Sequence, residues 1–365
     1  MDFESQLGQD WDMILSRLGG ADVLEEQARS SGAFTRARGV RCAVDLLRLT
    51  LAYCLSGMSF RSTSAWAGVT GLAQLSDVSL IKRMRKMSDW LTLLINQVIC
   101  DGIEARSQGR LIRLVDMTAI PKTDRSAGKH YAHWRLHSVF ELPSERFGFL
   151  ELTDGYSPEK LDRAAIVPGE IRIGDRAYLF TNRMARLIEG GADFIIRARW
   201  NGVRFLDHNG RRLNLVDDVL RGAEKTGRVD RKVKIFRKGH APLNVRVVAR
   251  RKTAEARKKA REKVLKRAAK DGHQTQAQTL IAAEWMLLVT TLDKNEFSAE
   301  KIMALYRVRW RIELAFKRLK SLVGLKRPPT LDDRLAKPFI LAHLLMILLI
   351  EPVMDQFDFS PRLMA

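Results

Sequence analysis

Three acidic side chains of this 365-residue chain are spaced so that they could act together on a phosphate. Asp116 follows the apolar run RLIRLV, and Asp175 follows a second apolar run in EIRIGD. A carboxylate at the end of a buried strand lies at the rim of a sheet, where ligand crevices form. Either aspartate alone is as well explained as a helix cap or a turn former. With a glutamate, however, they could hold two hard divalent cations, and oxygen ligands suit Mg²⁺.

The glutamate is Glu313, in a segment predicted to be one long helix capped by Ser298. Glu313 belongs to a series of four residues: Tyr306, Arg309, Glu313 and Lys320 follow one another at intervals of three, four and seven residues. At about 100° per residue the four side chains fall within about 60° on one face. A glutamate thus stands in line with two cations and a phenol. Such spacings also occur on any salt-bridged helix face, so a structural role stays open.

These motifs closely resemble the DDE transposases of the large insertion-sequence family marked by a Y-R-E-K signature, insertion-sequence family 4. The motifs are DMT at Asp116, DRAY at Asp175, and Y-x2-R-x3-E-x6-K from Tyr306. The four-residue series is specific, and the aspartate motifs become specific only with it. GYSPEKLDRAAIVPGEIRIGDRAY also resembles that family's approach to its second aspartate. The resemblance covers roughly residues 35–350 in layout.

The resemblance implies that Asp116, Asp175 and Glu313 are catalytic and bind two Mg²⁺ ions, for which Mn²⁺ can substitute. It implies a bacterial cut-and-paste transposase, which cleaves phosphodiester bonds at transposon ends and joins the 3′ ends to target DNA. Whether excision passes through a hairpin is left open. The implied partners are double-stranded DNA and a second copy of the chain in a synaptic complex, in the cytoplasm at the nucleoid.

Several DNA contacts are also implied by the resemblance. Tyr306, Arg309 and Lys320 would contact phosphates near the cleavage point, together with Arg176 of the DRAY motif. Trp285 is similar in place to a tryptophan that cradles a flipped base in hairpin-forming members. The alternative for Trp285 is a buried strand tryptophan.

The fold class is predicted to be α/β, with a ribonuclease H-like core interrupted by a β-rich insertion and preceded by an all-α N-terminal domain. Apolar spacing indicates helices up to about residue 107, and short apolar runs bounded by turns indicate strands from about 111. The predicted units are a helical DNA-binding domain, the first part of the core, the insertion with a basic arm, and the second part of the core with the catalytic and C-terminal helices; they span residues 1–107, 108–199, 200–293 and 294–365. In the catalytic helix, Trp310, Leu314 and Phe316 are expected in the core.

The net charge of +21 indicates a polyanionic partner, because so large a surplus otherwise only adds repulsion to the folded state. Near the N-terminus, a helix, a glycine turn and a basic helix resemble a helix-turn-helix. Lys82, Arg83, Arg85 and Lys86 would then face DNA; the alternative is a helical bundle with a solvated basic face.

A second basic segment is the arm RRKTAEARKKAREKVLKRAAK. Arg257, Lys258 and Lys259 of this arm are expected to contact phosphates; the alternative is a solvated helix. The arm's Ala, Glu and Lys content favours a helix in either case.

Other classes of protein fit less well. Three cysteines without a CxxC pair argue against a zinc finger or a disulfide framework. The acidic start lacks the apolar region of a signal peptide. The run FILAHLLMILLI is too short to span a bilayer and is expected to be a buried helix with His343 in the core, so no membrane partner is expected. Two alternatives remain: a transposase-derived DNA-binding protein without catalysis, and a ribonuclease H-like nuclease that cuts without joining.

Overall fold

The computed structural model describes residues 11–101, 110–123, 133–142, 144–322 and 327–356. Helices at both ends of this mixed α/β molecule pack on a ten-stranded sheet. After a helical stretch at 11–17, the N-terminal helices are α1 Gly20–Ser30, α2 Ala43–Ser56, α3 Phe60–Val69, α4 Asp77–Met84 and α5 Met87–Asp101.

Local signals set several of these boundaries. Ser59 accepts a hydrogen bond from Ser62 N at the start of α3, as expected of an N-cap. Gly57 ends α2 with a φ of 74°, a conformation that favours glycine. The run predicted as the third N-terminal helix is divided between α4 and α5, at residues 85–86.

The strands are β1 Ile112–Pro121, β2 His133–Leu142, β3 Arg146–Asp154, β4 Ile171–Gly174, β5 Asp193–Arg197, β6 Phe205–Leu206, β7 Arg212–Leu213, β8 Arg228–Ile235, β9 Leu243–Arg251 and β10 Trp285–Thr290. Their order in the sheet is β3-β2-β1-β4-β5-β10-β9-β8-β6-β7. β1, β4 and β5 are parallel, and β2 and β3 continue from β1 as antiparallel neighbours. A helix α6, Thr181–Glu189, connects β4 to β5.

Between β5 and the last helices lie β6 to β10, with helices α7 Ala254–Lys270 and α8 Ala277–Ala283. The strand predictions here are confirmed in β8, β9 and β10. β10 pairs antiparallel with β5, and β9 and β8 follow outwards. The β-rich segment therefore extends the sheet begun by β1 to β5.

The prediction of one long catalytic helix is wrong. Helix α9, Ala299–Arg307, is capped by Ser298 as expected, and a separate helix α10 covers Trp310–Leu322. At the break, Arg309 N donates to Tyr306 O at 3.2 Å, so the turn closes over three residues rather than four. Both helices keep helical apolar spacing, and the sequence therefore does not reveal the interruption at residues 308–309.

The final helix α11, Asp333–Gln356, packs on α5 and α2, so the chain's last helix completes the N-terminal bundle. As expected, its apolar run is a buried helix, and buried His343 shares a 2.8 Å hydrogen bond with Phe339 O. Successive residues of β1, Leu114 and Val115, belong to core clusters on opposite faces of the sheet. Within the described residues, no helix is long and apolar enough to cross a membrane.

Candidate active site

Asp116 and Asp175 lie level with each other at one edge of the parallel strands. The last parallel pair of β1 and β4 is Leu114 with Ile173, and each aspartate lies two residues beyond it. The alternation of side chains along strands therefore directs both aspartates to the same face. Asp116 does not end its strand as predicted, because β1 continues beside β2 to Pro121. The parallel pairing of β1 with β4, by contrast, ends at Leu114, just before Asp116.

Both aspartates also bond their own backbone. Asp116 Oδ1 accepts a hydrogen bond from Met117 N at 2.8 Å. Asp175 Oδ1 accepts one from Ala177 N at 2.7 Å and caps a short 3₁₀ turn at Arg176–Tyr178. The capping alternative for Asp175 is thus correct as far as it goes. The cap fixes one oxygen of the carboxylate at the edge of the sheet.

Glu313 lies in the first turn of α10 and is joined to Asp116 through Arg309. Arg309 Nη1 lies 3.2 Å from Asp116 Oδ2, and its Nη2 bonds to Glu313 Oε1. Asp116 is largely buried, with 18% of its side chain exposed, whereas Glu313 is 52% exposed. The break between α9 and α10 places Arg309 where it can reach both acids.

The surroundings of Asp116 disfavour its charged form. Burial raises the pKa of its carboxyl to about 6, and the charges of Asp175 and Glu313 raise it further. The Met117 amide and the Arg309 guanidinium oppose this without cancelling it. Burial is the largest of these effects, so the folded protein favours the protonated form of Asp116 even though the Arg309 guanidinium is close.

This donor set fits a divalent cation in its chemistry. Carboxylate oxygens are the ligands that Mg²⁺ prefers. No three Asp, Glu, His or Cys side chains of the described residues are gathered closely enough to enclose a metal ion as they stand. Between Asp116 and Glu313 lies the Arg309 guanidinium, and the acids can close around a cation only if this side chain moves.

Tyr306 and Lys320 complete the predicted row around Asp116. The phenol of Tyr306 is buried, which raises its pKa, while nearby Arg309 and Arg197 lower it. Lys320 Nζ donates to Thr118 Oγ1 at 2.7 Å, two residues beyond Asp116 on β1. All four residues of the Y-R-E-K series thus lie beside the end of the β1–β4 ladder.

Four cationic side chains lie near Asp175, and the sequence analysis singled out only one of them, Arg176. Burial and the charges of Arg197 and Arg199 lower the pKa of Arg176, and burial, Arg197 and Arg176 lower that of Lys252. Among the described residues, Arg197 Nε is buried without a hydrogen-bond partner. Arg197 ends the apolar strand DFIIR just as Asp175 follows its own, so the same rule could have found it. We call Arg176, Arg197, Arg199 and Lys252 the edge cations.

Two of the four cations predicted to face DNA near the N-terminus also make contacts within the fold. Arg83 donates to the carbonyls of Arg36 and Arg38, and Arg85 forms a 2.9 Å ion pair with Asp332 of the distant C-terminal segment. Arg85 nevertheless stays exposed and Arg83 half-buried, so a role of both arginines in DNA binding stays a prediction. The other two, Lys82 and Lys86, are exposed.

The basic arm forms helix α7 as expected, and part of its charge is already neutralised. Glu284 lies 3.7 Å from Arg257 Nε and 3.0 Å from Arg261 Nη1. Lys259 pairs with Glu255 at 2.7 Å, and Lys258 is exposed. The helix is thus tied at its base, and its outer face presents cations to solvent.

Trp285 is buried and Trp310 is exposed. Trp285 is 1% exposed in the core beneath the sheet, which supports the alternative of a buried strand tryptophan and contradicts a base-stacking role in this conformation. Trp310, expected in the core, is 41% exposed between Arg309 and Glu313. Phe316 is buried as expected.

Level aspartates on adjacent parallel strands, with a glutamate from a following helix, are an arrangement that suits metal-dependent phosphate chemistry, and the comparisons with known proteins agree. Residues 107–349 match the family described as "Transposase DDE domain", and the chain belongs to that family. It is 39% identical over 360 residues, 96% of each chain, to the "Putative transposase InsL for insertion sequence element IS186A" of Escherichia coli (strain K12). It is also 39% identical over 361 residues, again 96% of each, to the "Transposase for insertion sequence element IS421" of Escherichia coli.

The resemblance inferred from the Y-R-E-K series is thereby confirmed. The protein is a transposase of the insertion-sequence type, an enzyme of DNA cleavage and transposition, and its family implies dependence on a divalent metal.

The raised pKa of Asp116 leads to a prediction about stability. The folded state holds the Asp116 proton more tightly than the unfolded state, so stability declines as pH rises towards about 6 and stays lowered above it. The difference between this pKa and that of an ordinary aspartate corresponds to about 3 kcal/mol of the free energy of unfolding. In EDTA and without DNA, Asp116→Asn should therefore raise the free energy of unfolding at pH 8, by up to that amount, and much less at pH 4.

Urea denaturation at both pH values measures this, with exposed Asp89→Asn as control. An Asp116→Asn protein that is no more stable than wild type at pH 8 would contradict the electrostatic account.

Proposed function

We propose that this transposase binds the ends of its element, hydrolyses phosphodiester bonds there and joins the 3′ ends to target DNA. In this proposal Asp116, Asp175 and Glu313 hold two Mg²⁺ ions, which Mn²⁺ can replace. The observation that carries it is the level position of the two aspartates at one sheet edge, with Glu313 linked to Asp116 through Arg309. Double-stranded DNA and a second copy of the chain would complete the synaptic complex, at the nucleoid.

A ribonuclease H-like core belongs to the same proposal. Its support is the order β3-β2-β1-β4-β5, with three antiparallel strands followed by two that run parallel to β1. The proposed units remain 1–107, 108–199, 200–293 and 294–365. The strands of the third unit would extend the sheet of the core.

The residues of the chain would prepare the phosphate for attack. When bound, the cations would activate water or a DNA 3′-hydroxyl and stabilise the leaving oxygen of an in-line displacement. Arg309 would move from the acids to a phosphate oxygen, which frees Asp116 and Glu313 and places a positive charge where negative charge develops. Tyr306 would be a phosphate contact rather than a nucleophile, because its phenol is buried and its pKa is raised.

The edge cations would hold the DNA backbone beside the site. The neighbouring arginines lower the pKa of Arg176 and of Lys252, so these cations are held together at a cost, which a phosphate would relieve. They lie at the edge where Asp175 follows β4. The DNA strand that enters the site would thus be bound by the edge cations on the side of β5 and by Lys320 on the side of β1.

The acids provide the first test of this function. Asp116→Asn, Asp175→Asn and Glu313→Gln should each lower nicking and strand transfer by more than about 100-fold. DNA binding should change little, because phosphate contacts elsewhere supply most of the affinity. Nicking of labelled end duplexes and joining of pre-cut ends would be measured in Mg²⁺.

The exposed pair partner of Arg311, Glu145, supplies the control variant Glu145→Gln. Metal-dependent cleavage that persists undiminished in Asp175→Asn would refute the proposal. Cleavage without joining in the wild type would instead indicate a nuclease.

The tryptophans provide the second test. Trp310 is exposed beside Arg309 and Glu313, so its indole is placed to stack on a base of the bound end. Trp310→Ala should keep the melting temperature and weaken end binding or end processing by about 1–3 kcal/mol. Trp285→Ala should lower the free energy of unfolding by about 3–5 kcal/mol, because it empties a core site.

Thermal melting and the fluorescence of 2-aminopurine at the cleavage point separate the two effects. A stable Trp285→Ala protein with defective end processing would restore the base-stacking role that the sequence suggested.

Helix α7 provides the third test. Lys258, Lys263 and Lys266 are exposed and well suited to backbone contact. Changing all three to Gln should weaken binding to any duplex and flatten the dependence of log K on log salt by up to about 0.9 per lost contact. The matched variant with three arginines keeps the charge and should bind like the wild type. An unchanged salt slope in the Gln variant would remove α7 from the DNA-binding surface.

A further inference from the structure

The connection between α1 and α2, residues 31–42, carries two arginines that the sequence analysis did not single out, Arg36 and Arg38. The connection is anchored in the core at two points, because Phe34 and Val40 are fully buried. Between these anchors, residues 35–39 are all exposed. We call residues 35–39, with the sequence TRARG, the arginine loop. The loop is thus short and held at both ends.

Hydrogen bonds hold the arginine loop against the turn between α3 and α4. Gln74 N, in that turn, donates to Gly39 O at 2.7 Å. Gly39 has a φ of 73°, and a Cβ at this position would collide with Gln74 O, so the close approach requires glycine. Just after the loop, Arg41 Nη2 donates to Gly71 O of the same turn at 3.3 Å. The loop therefore lies beside the helix pair that the sequence analysis compared with a helix-turn-helix.

Arg83 supports the arginine loop from α4. Its Nη2 atom donates to Arg38 O at 2.5 Å and to Arg36 O at 3.1 Å. Its guanidinium carbon also lies 6.0 Å from the centroid of the Phe34 ring, at the anchor before the loop. Both carbonyls are thus turned towards Arg83, while Arg36 and Arg38 are themselves exposed. The backbone from which the two arginine side chains extend is fixed by these bonds.

The positive charge of the arginine loop is not neutralised by the protein. Within the described residues, Arg36, Arg38 and Arg83 form no ion pair. Asp45 pairs instead with Arg41, outside the loop, at 3.3 Å. Burial lowers the pKa of Arg83, so its charge is held at a cost that a nearby anion would reduce. The protein thus holds three guanidinium groups close together and leaves them for an anionic partner.

The residue types of the arginine loop suit the phosphates of a nucleic acid. Guanidinium groups bind phosphate oxygens through two parallel N–H bonds. The other residues of the loop, Thr35, Ala37 and Gly39, are small, so they leave the arginines free to approach a flat or convex surface. The loop contains no aromatic ring on which an unpaired base could stack. Its chemistry therefore favours the backbone of a duplex over a single strand.

On the basis of the proposed function, we propose that Arg36 and Arg38 of the arginine loop bind the phosphate backbone of duplex DNA, from a backbone that Arg83 and Gly39 hold in place. Exposed Lys82 precedes Arg83 on α4, so the loop and this helix form one basic surface. Phosphate contacts fix the position of a duplex without reading its sequence. The arginine loop thus positions the DNA, and the sequence of the element's end is read elsewhere.

The test is the affinity of the full chain for a fluorescent duplex of mixed sequence, measured by anisotropy in EDTA over a range of salt concentrations. Arg36→Gln/Arg38→Gln should bind more weakly and flatten the dependence of log K on log salt by up to about 1.8, since each lost phosphate contact removes about 0.9. The control Arg211→Gln/Arg212→Gln removes the same charge from exposed residues at β7, the edge strand of the sheet, and should keep the slope. An equal loss of slope in both double variants would reflect total charge alone and would refute the inference.

Gly39→Ala tests the geometry of the loop, because it displaces the backbone and keeps every charge. It should weaken binding and flatten the salt dependence in the same direction as the loss of the two arginines. The control Gly210→Ala replaces another glycine of positive φ, 83°, where a Cβ meets open space, and should bind like the wild type. A folded Gly39→Ala protein that binds like the wild type would overturn the role of the fixed loop.

The outcomes separate this inference from the proposed function. If the wild type binds the duplex and Arg36→Gln/Arg38→Gln keeps its salt slope, the arginine loop is refuted, and DNA cleavage by the acids stands or falls by its own test. If the wild type binds no duplex at all, the proposed function itself is refuted. Should Gly39→Ala fail to fold, Arg36→Gln/Arg38→Gln decides, because both arginines are exposed.

Discussion

The partial burial of Asp116 beside other charged side chains, at one edge of the sheet, is the constraint on which the candidate site depends. The chain carries a net charge of +21, yet it holds Asp116, buried, within range of the charges of Asp175 and Glu313. Burial strengthens this repulsion, because water no longer screens it. Arg309, which pairs with both Asp116 and Glu313, supplies a positive charge that offsets part of this repulsion.

The break between α9 and α10 is the structural means of supplying that cation. A residue in mid-helix could reach Glu313 one turn away, but it would be held in line with its own helix. At the three-residue turn, Arg309 bonds Glu313 and also crosses to β1. A guanidinium suits two exchangeable partners, since its fork binds carboxylate and phosphate alike. If Asp116 and Glu313 hold the metal as proposed, DNA would compete for Arg309 with those acids, which would couple metal entry to the arrival of a phosphate.

The sequence was informative where local chemistry decides the outcome. Apolar runs predicted the strands before Asp116 and Asp175, and Ser298 capped its helix as expected. Long-range pairing was not visible, since Arg85 meets Asp332 across 247 residues of chain. Nor could periodicity tell which apolar residue would be covered, and Trp310 therefore lies at the surface. The catalytic and DNA-binding roles of the site residues stay predictions, whereas the family is established by its own matches.

The sheet topology brings part of the β-rich segment to the candidate site, although the segment follows Asp175 and precedes Glu313 in the sequence. β4 and β5 are parallel, so Asp175 and Arg197 come to the same edge. β10 is antiparallel to β5 and begins at that edge, and β9, antiparallel to β10, ends there, immediately before Lys252. Helix α7 begins two residues after Lys252, at Ala254, with Thr253 as its N-cap. Because β9 runs parallel to β5, with β10 antiparallel between them, β9 ends at the same edge as Asp175 and Arg197. Lys252 and the start of α7 therefore lie at the edge of the candidate site.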